Sequence, residues 1–259
     1  MIFEIENLTF SYPDSDRYVL DNVTLTVGKG SIVSILGRNG SGKSTLLGCM
    51  LGLLKPKSGK LILSGNDISC MSERDIAKTV GYVPQIHVPT FSFSVLDFVI
   101  MGCTSRIGLF SKPGKREIED SYIALTELGI EAIADKPYTH ISGGERQKAT
   151  IARAIVSKPQ AVLFDEPTAH LDYGSQLLVL RIIKNLAEKG YSIVMTTHNP
   201  DHALLLGGKA ALFTNTGTLV AGKVDHIITQ DNLTRTYDTD IRLEYIDSLS
   251  RKACVYSNL

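Results

Sequence analysis

Short apolar runs alternate along this chain with longer stretches in which apolar residues return every three or four positions. The first kind reads as strand and the second as helix. Residues 2–12, IFEIENLTFSY, partly alternate and carry Phe, Ile and Tyr, which predicts a strand. Asp14, Ser15 and Asp16 mark a turn. Residues 19–27 predict a second strand with Val23, Leu25 and Val27 on one face. Gly28 to Gly30 turn the chain into SIVSIL (31–36), a run suited to a buried strand, and 44–54 suits a buried helix. Residues 60–64 suggest another strand, and 72–79 a short helix with Ser72 as cap and an acidic first turn. GYVPQ (81–85) is a short strand with Gln85 at its end. From Val95 to about Ser157 the pattern is helical, in three pieces, with a loop at 111–115 between the first two. AVLFDE (161–166) is a buried strand ending in two acids, 174–190 a helix ending at Gly190, and YSIVMTT (191–197) a buried strand followed by His198. Residues 210–222 read as a hairpin turning at Asn215 to Gly217. Beyond Ile227 the pattern mixes and predicts no defined element.

Apolar strands alternating with helices imply a parallel sheet covered on both faces, hence an α/β chain. The first segment adds a strand-rich layer, and the helical stretch is an insertion within the α/β pattern. Ligands of such sheets bind at the C-terminal ends of the strands. The loop after 31–36, Gln85, Asp165–Glu166 and His198 all follow strand ends and are expected to converge.

The loop after 31–36 carries the chemistry. GRNGSGKST, Gly37 to Thr45, fits the phosphate-binding pattern: Gly37, then Arg38, Asn39, Gly40 and Ser41, then Gly42, Lys43 and Ser44. Gly40 and Gly42 let the backbone wrap a phosphate. The loop N–H groups and the following helix N-terminus supply an anion site. Lys43 can reach the outer phosphates, and the Ser44 hydroxyl can ligate Mg²⁺. Alone, the loop says only that the chain binds a nucleoside triphosphate.

At 259 residues the chain has room for one large domain or two small ones, with an ordinary apolar fraction of 43%. Twenty-seven basic residues balance 27 acidic ones, which argues against a nucleic-acid footprint. No apolar run reaches bilayer length, and MIFEIENLTF lacks the basic start and apolar core of an export signal. Cys49, Cys70, Cys103 and Cys254 have no metal-like spacing and read as reduced thiols.

These motifs, in this order, resemble the ATP-binding cassette family, the nucleotide-binding subunits of ABC transporters. The matching residues are GRNGSGKST (37–45), Gln85, ISGGERQ (141–147), AVLFDEP (161–167), AHLD (169–172) and His198, and the SGGE of Ser142 to Glu145 is highly specific to this family. The resemblance runs from about Tyr12 to His198 and more loosely beyond. It implies a P-loop NTPase (RecA-like) parallel-sheet core with an N-terminal antiparallel β layer and an inserted α-helical subdomain. The chain would be a single ATPase domain. Residues 1–87 and 158–230 would form the nucleotide-binding core, 88–157 the helical subdomain with the signature motif, and 231–259 a C-terminal tail.

The resemblance also implies roles, with ATP and Mg²⁺ as substrate and cofactor. Tyr12 stacks on adenine. Asp165, Ser44 and Gln85 serve the metal, Glu166 polarises the attacking water, and His198 holds the terminal phosphate. Ser142, Gly143, Gly144 and Glu145 contact the ATP of a second copy, and Asp172 lies in a loop crossing between the two. The partners implied are that second copy, transmembrane permease subunits and, indirectly, an extracytoplasmic substrate-binding protein, with no nucleic acid. The location implied is the cytoplasmic face of the cell membrane.

Departures from the family pattern are mild: Ile141 for the usual Leu, Glu145 where Gln is common, and Arg38 where Pro is frequent. His170 also occurs in importer-type cassettes. No catalytic group is missing, so an active ATPase is expected rather than a regulator without turnover. The segment TFSFSVLDFVIMG (90–102) and the chain length resemble the importers for iron–siderophores, haem, cobalamin and molybdate. An exporter would carry the same motifs, whereas a soluble cassette acting on ribosomes or DNA would usually show tandem cassettes or a long coiled-coil insertion. His87, His140 and His170, and the charge run of Lys112, Lys115 and Arg116, read as structural or solvated.

Overall fold

The computed structural model describes every residue except Asp14, Asp16, 86–91, 109–110 and 257–259, together with the side chain of Tyr256. The chain opens with β1 (Phe3–Phe10), β2 (Leu20–Val27) and β3 (Ile32–Leu36), then α1 (Lys43–Met50), β4 (Ser58–Leu63) and β5 (Asn66–Asp67). There follow α2 (Glu73–Thr79), β6 (Val80–Val83), α3 (Val95–Ile100), α4 (Lys115–Glu127) and α5 (Gly143–Ile155). Next come β7 (Ala161–Phe164), α6 (Tyr173–Glu188), β8 (Ser192–Thr197) and α7 (Pro200–Leu206). The chain closes with β9 (Lys209–Phe213), β10 (Leu219–Lys223), α8 (Val224–Ile227), α9 (Gln230–Tyr237), β11 (Ile241–Ile246) and β12 (Arg251–Tyr256).

Two larger sheets face one another. The first is antiparallel, in the order β2-β1-β4-β5. The second runs β10-β9-β3-β8-β7-β6 and is parallel except where β10 returns against β9. The fully buried runs of β3, β7 and β8 are its centre, which is why they carry no polar alternation. One core fills the gap between the sheets: Phe3, Ile5, Val23, Leu25, Val33, Ile35 and the α1 residues Leu46 and Leu47 all meet there. A second core lies on the opposite face, where α3 to α6 cover Phe164, Ile193 and Met195. A third holds α7, α8, α9 and the β11–β12 hairpin against Leu36 and Leu212.

α1 stops short of its predicted end, because Gly52 takes a left-handed φ of 70° and Leu53 and Leu54 both donate to the Gly48 carbonyl. α2 starts where its cap predicts: the Ser72 side chain accepts from the Asp75 N–H. The segment beyond Ile227, which has no sequence pattern of its own, folds as a short helix and a two-stranded hairpin. Among the described residues no helix is long and apolar enough to cross a membrane, and all four cysteines are free.

Candidate functional site

Strand register assembles the site. Leu36 pairs with Thr197, so Gly37 and His198 leave the sheet side by side. Phe164 pairs with Met195 and with Val83, so Asp165–Glu166 emerge between the ends of β8 and β6. The residues expected to converge therefore do so around a cleft of about 620 Å³, although Asp165 does not line it. Its walls include Tyr12, Lys43, Ser44, Gln85, Glu166 and His198.

The phosphate loop takes its shape from its glycines. Gly37, Gly40 and Gly42 have φ of 156°, 78° and 105°, where a side chain would be strained. A Cβ on Gly42 would also come 2.9 Å from the Val19 carbonyl oxygen. Lys43 opens α1 but turns its side chain back over the loop. Its Nζ donates to the carbonyls of Gly37 at 3.0 Å and Arg38 at 3.1 Å. The same ammonium lies 3.2 Å from Glu166 Oε1, with both side chains nearly buried. Lys43 thus occupies the cradle itself and is held by the carboxylate expected to activate water.

Glu166 is the hub. Its other oxygen meets His198 Nδ1 at 3.3 Å and Gln85 Nε2 at 3.5 Å. Its backbone sits at a φ of 43°, uncommon for a non-glycine residue, and its N–H donates to Thr196 Oγ1 at 2.8 Å. Strain of that kind concentrates at functional sites.

Asp165 forms a second, oxygen-rich group. Ser44 Oγ donates to Asp165 Oδ1 at 3.0 Å, and Thr196 Oγ1 donates to the same oxygen at 2.7 Å. The Tyr82 hydroxyl also bonds to Asp165; burial, with the help of that carboxylate, pushes the phenol up to about 12. A hydroxyl beside a carboxylate, ready to be completed by phosphate oxygens and water, fits the hard-cation preference of Mg²⁺. No cluster of three His, Cys, Asp or Glu exists among the described residues, so a metal here would draw on the nucleotide for much of its shell. Gln85 directs its amide at Glu166 rather than at this oxygen pair.

Tyr12 stands at the mouth. Its ring is 46% exposed, meets Phe10 edge-on at 5.1 Å, and its hydroxyl lies 3.2 Å from Thr45 Oγ1. The exposed face is free to carry a planar base.

The structure does not bring every expected residue to this cleft. Ser142 caps α5, where its side chain accepts from the Glu145 N–H, while Glu145 Oε2 takes bonds from the Ser142 N–H at 2.8 Å and the Ser142 hydroxyl at 2.7 Å. These bonds hold the Glu145 carboxyl below its usual range. Glu and Gln are interchangeable in such a box, which accounts for Glu145. Asp172 likewise caps α6 through Ser175, and its carboxyl is lowered by those bonds. Neither Ser142–Glu145 nor Asp172 lines the cleft. His170 does, in a left-handed conformation, although its sequence reading is structural. His87, with residues 86–91, lies outside the described residues.

Sequence reasoning missed four supports. Thr196 reads as an ordinary β-branched strand residue and Tyr82 as strand filler. His202 is buried on α7, its Nδ1 3.1 Å from Thr197 Oγ1 and 3.4 Å from Thr168 Oγ1. Burial lowers its pKa, so the ring is neutral and ties the turn after β8 to the segment after β7. The fourth support, Tyr237, comes from the unread C-terminal segment.

Comparison with known proteins agrees with this geometry. The ABC transporter family profile matches residues 20–169. An iron chelatin transport ATP-binding protein of Helicobacter pylori is 36% identical over 99% of this chain and 100% of its own length. The molybdate import ATP-binding protein MolC of Haemophilus influenzae is 35% identical over 90% of this chain and 87% of its own. The solved structure of a metal-chelate type ABC transporter in an inward-facing conformation superposes with a TM-score of 0.87 at 31% identity, covering 98% of both chains. The chain belongs to the ABC transporter family, as an ATP-binding subunit with the ATPase fold of that family.

Proposed function

We propose that this chain hydrolyses ATP on the cytoplasmic face of the cell membrane to drive a metal-chelate importer, with an iron chelate as cargo. The observation that carries the hydrolytic reading is the cluster of Lys43, Glu166, His198 and Gln85 at one set of strand ends. ATP entering the cleft lays its adenine on Tyr12 and its phosphates in the loop of Gly37 to Thr45. Lys43 leaves Glu166 for the outer phosphates. Ser44 and Asp165 would hold Mg²⁺, which would supply charge neutralisation at the phosphates. Glu166, released from Lys43, takes a proton from the attacking water. His198 and Gln85 hold that water and the terminal phosphate in place.

The signature segment, Ser142 to Glu145, serves a second copy of the chain, because it caps its helix away from its own cleft. Two copies then sandwich two ATP molecules, with Asp172 in the crossing loop. Residues 88–157 act as the helical subdomain and 231–259 as a tail. A groove of about 830 Å³ between α2 and α3 exposes Phe93 and Met101 and is the seat of the permease subunits. An extracytoplasmic binding protein acts through that permease. The full-length likeness to the Helicobacter pylori protein supports an iron chelate, and the likeness to MolC supports molybdate as the second reading. The test is uptake of labelled iron chelate by iron-starved cells carrying the wild type or Lys43→Ala. Loss of uptake in the variant is expected. Unchanged uptake overturns the iron cargo, and labelled molybdate is then the next substrate to try.

A further inference from the structure

Residues of α9 and the β11–β12 hairpin do not line the cleft, yet they reach two of its turns from behind. The Tyr237 hydroxyl, at the end of α9, donates to the backbone carbonyl of His198 at 3.0 Å. The backbone N–H of Gly37, first residue of the phosphate loop, faces the Tyr237 hydroxyl. One hydroxyl therefore sits between the start of the phosphate loop and the His198 turn. Burial raises the phenol well above its ordinary value, so it stays protonated and able to donate.

The surroundings make this a fixed point. Leu36, Leu212, Leu233 and Ile241 form the core against which Tyr237 packs. The Cys254 N–H of β12 donates to Asp201 Oδ1 at 3.0 Å, tying the hairpin to the helix that follows His198. The His198 side chain, in contrast, is 57% exposed and meets Glu166 through one ring nitrogen. With so little packing on the ring, its backbone anchor decides where the imidazole stands, and small displacements of a working group are costly.

We propose that Tyr237 is a positioning residue for ATP hydrolysis: its hydroxyl holds the His198 carbonyl beside the start of the phosphate loop, and so sets the imidazole against Glu166. This rests on His198 being a working group of the site. It gives the C-terminal segment a task in turnover that packing alone would not require.

The test uses the full chain with its permease. Tyr237→Phe keeps the ring and removes only the hydroxyl. Tyr245→Phe, on the exposed face of β11, is the control. Tyr237→Phe should lower kcat about fivefold, the effect of roughly one hydrogen bond, with KM for ATP within about twofold. In a His198→Ala background the same change should have no further effect, measured by single-turnover hydrolysis. In the nucleotide-free chain, the ¹⁵N signals of the His198 ring should move in Tyr237→Phe and not in Tyr245→Phe. An unchanged kcat, an equal loss in the His198→Ala background, or an unmoved ring signal overturns the proposal. Wild-type turnover in His198→Ala overturns the site reading together with this one. An inactive His198→Ala beside a fully active Tyr237→Phe overturns only this one.

Discussion

Glu166→Gln tests the site at its hub. Glu166 holds Lys43 at 3.2 Å, so ATP must break that pair before its phosphates can have the lysine. At this separation the gross attraction is about 5 kcal/mol for an effective dielectric of about 20. Desolvation of two nearly buried groups takes back the larger part. What remains is about 1.5 kcal/mol, the usual net value of a hydrogen bond to a charged group. Glutamine keeps the shape and loses the charge, so most of that hold disappears. ATP affinity, measured by calorimetry with Mg²⁺, should rise about tenfold. Hydrolysis should fall by about 100- to 10,000-fold, because the amide cannot take a proton from water. The variant loaded with ATP should also run as a dimer in size exclusion, since sandwiching no longer ends in hydrolysis. Unchanged affinity would mean that Lys43 need not leave Glu166. Near-normal turnover would mean that another group is the base.

His202 gives a pH signature. Its burial lowers the folded-state pKa, so above the ordinary histidine value neither state carries the proton and the ring has no pH effect. As pH falls below that value, the unfolded chain takes up a proton that the folded chain refuses. Stability should therefore drop by at most about 1.4 kcal/mol per pH unit. His202→Asn, followed by denaturant unfolding from neutral to mildly acidic pH, should be less stable at neutrality but flatter with pH; an unchanged slope would remove His202 as its source. Two glycines should separate packing from partner contact. A Cβ on Gly102 would clash with the Arg153 carbonyl oxygen, whereas nothing lies within 4 Å of one on Gly143. Gly102→Ala should lose about 2 kcal/mol of stability by overpacking. Gly143→Ala should melt as the wild type does and yet lose ATP-driven dimerisation; a wild-type Tm for the first, or normal dimerisation for the second, would refute this.

Legibility in the sequence followed the range of the interactions. The phosphate loop could be read because its demands are local: Gly37, Gly40 and Gly42 sit at backbone angles that side chains resist. The cap at Ser72 is a four-residue pattern and was equally plain. The central strands could be read because they are buried on both faces. The supports of the site were hidden for the opposite reason. Tyr237 meets His198 from 39 residues away and neighbours Gly37 from the other end of the chain, and no local pattern marks a tyrosine that will do so. His202 and Thr196 look like helix and strand filler until the register of β7 and β8 places them under Glu166 and His198. In the C-terminal hairpin the β11 residues of one parity run from buried Ile241 through half-buried Leu243 to exposed Tyr245, too weak a contrast to predict.

The Lys43–Glu166 pair also bears on when the proposed base can act. Glu166 meets Lys43 through one oxygen and His198 and Gln85 through the other. On the proposed reading, a polyphosphate that draws off Lys43 frees the first oxygen to take a proton from water. The signature helix adds a second condition. Ser142 and Glu145 satisfy one another at the start of α5, while the space around Gly143 stays open. On the proposed reading, a phosphate arriving from a second copy would meet the helix N-terminus at Gly143. Loss of the terminal phosphate would weaken that attraction. On the proposed reading, closure and reopening of the pair thus follow from the same four residues, Ser142 to Glu145, and hydrolysis at Glu166 decides between them.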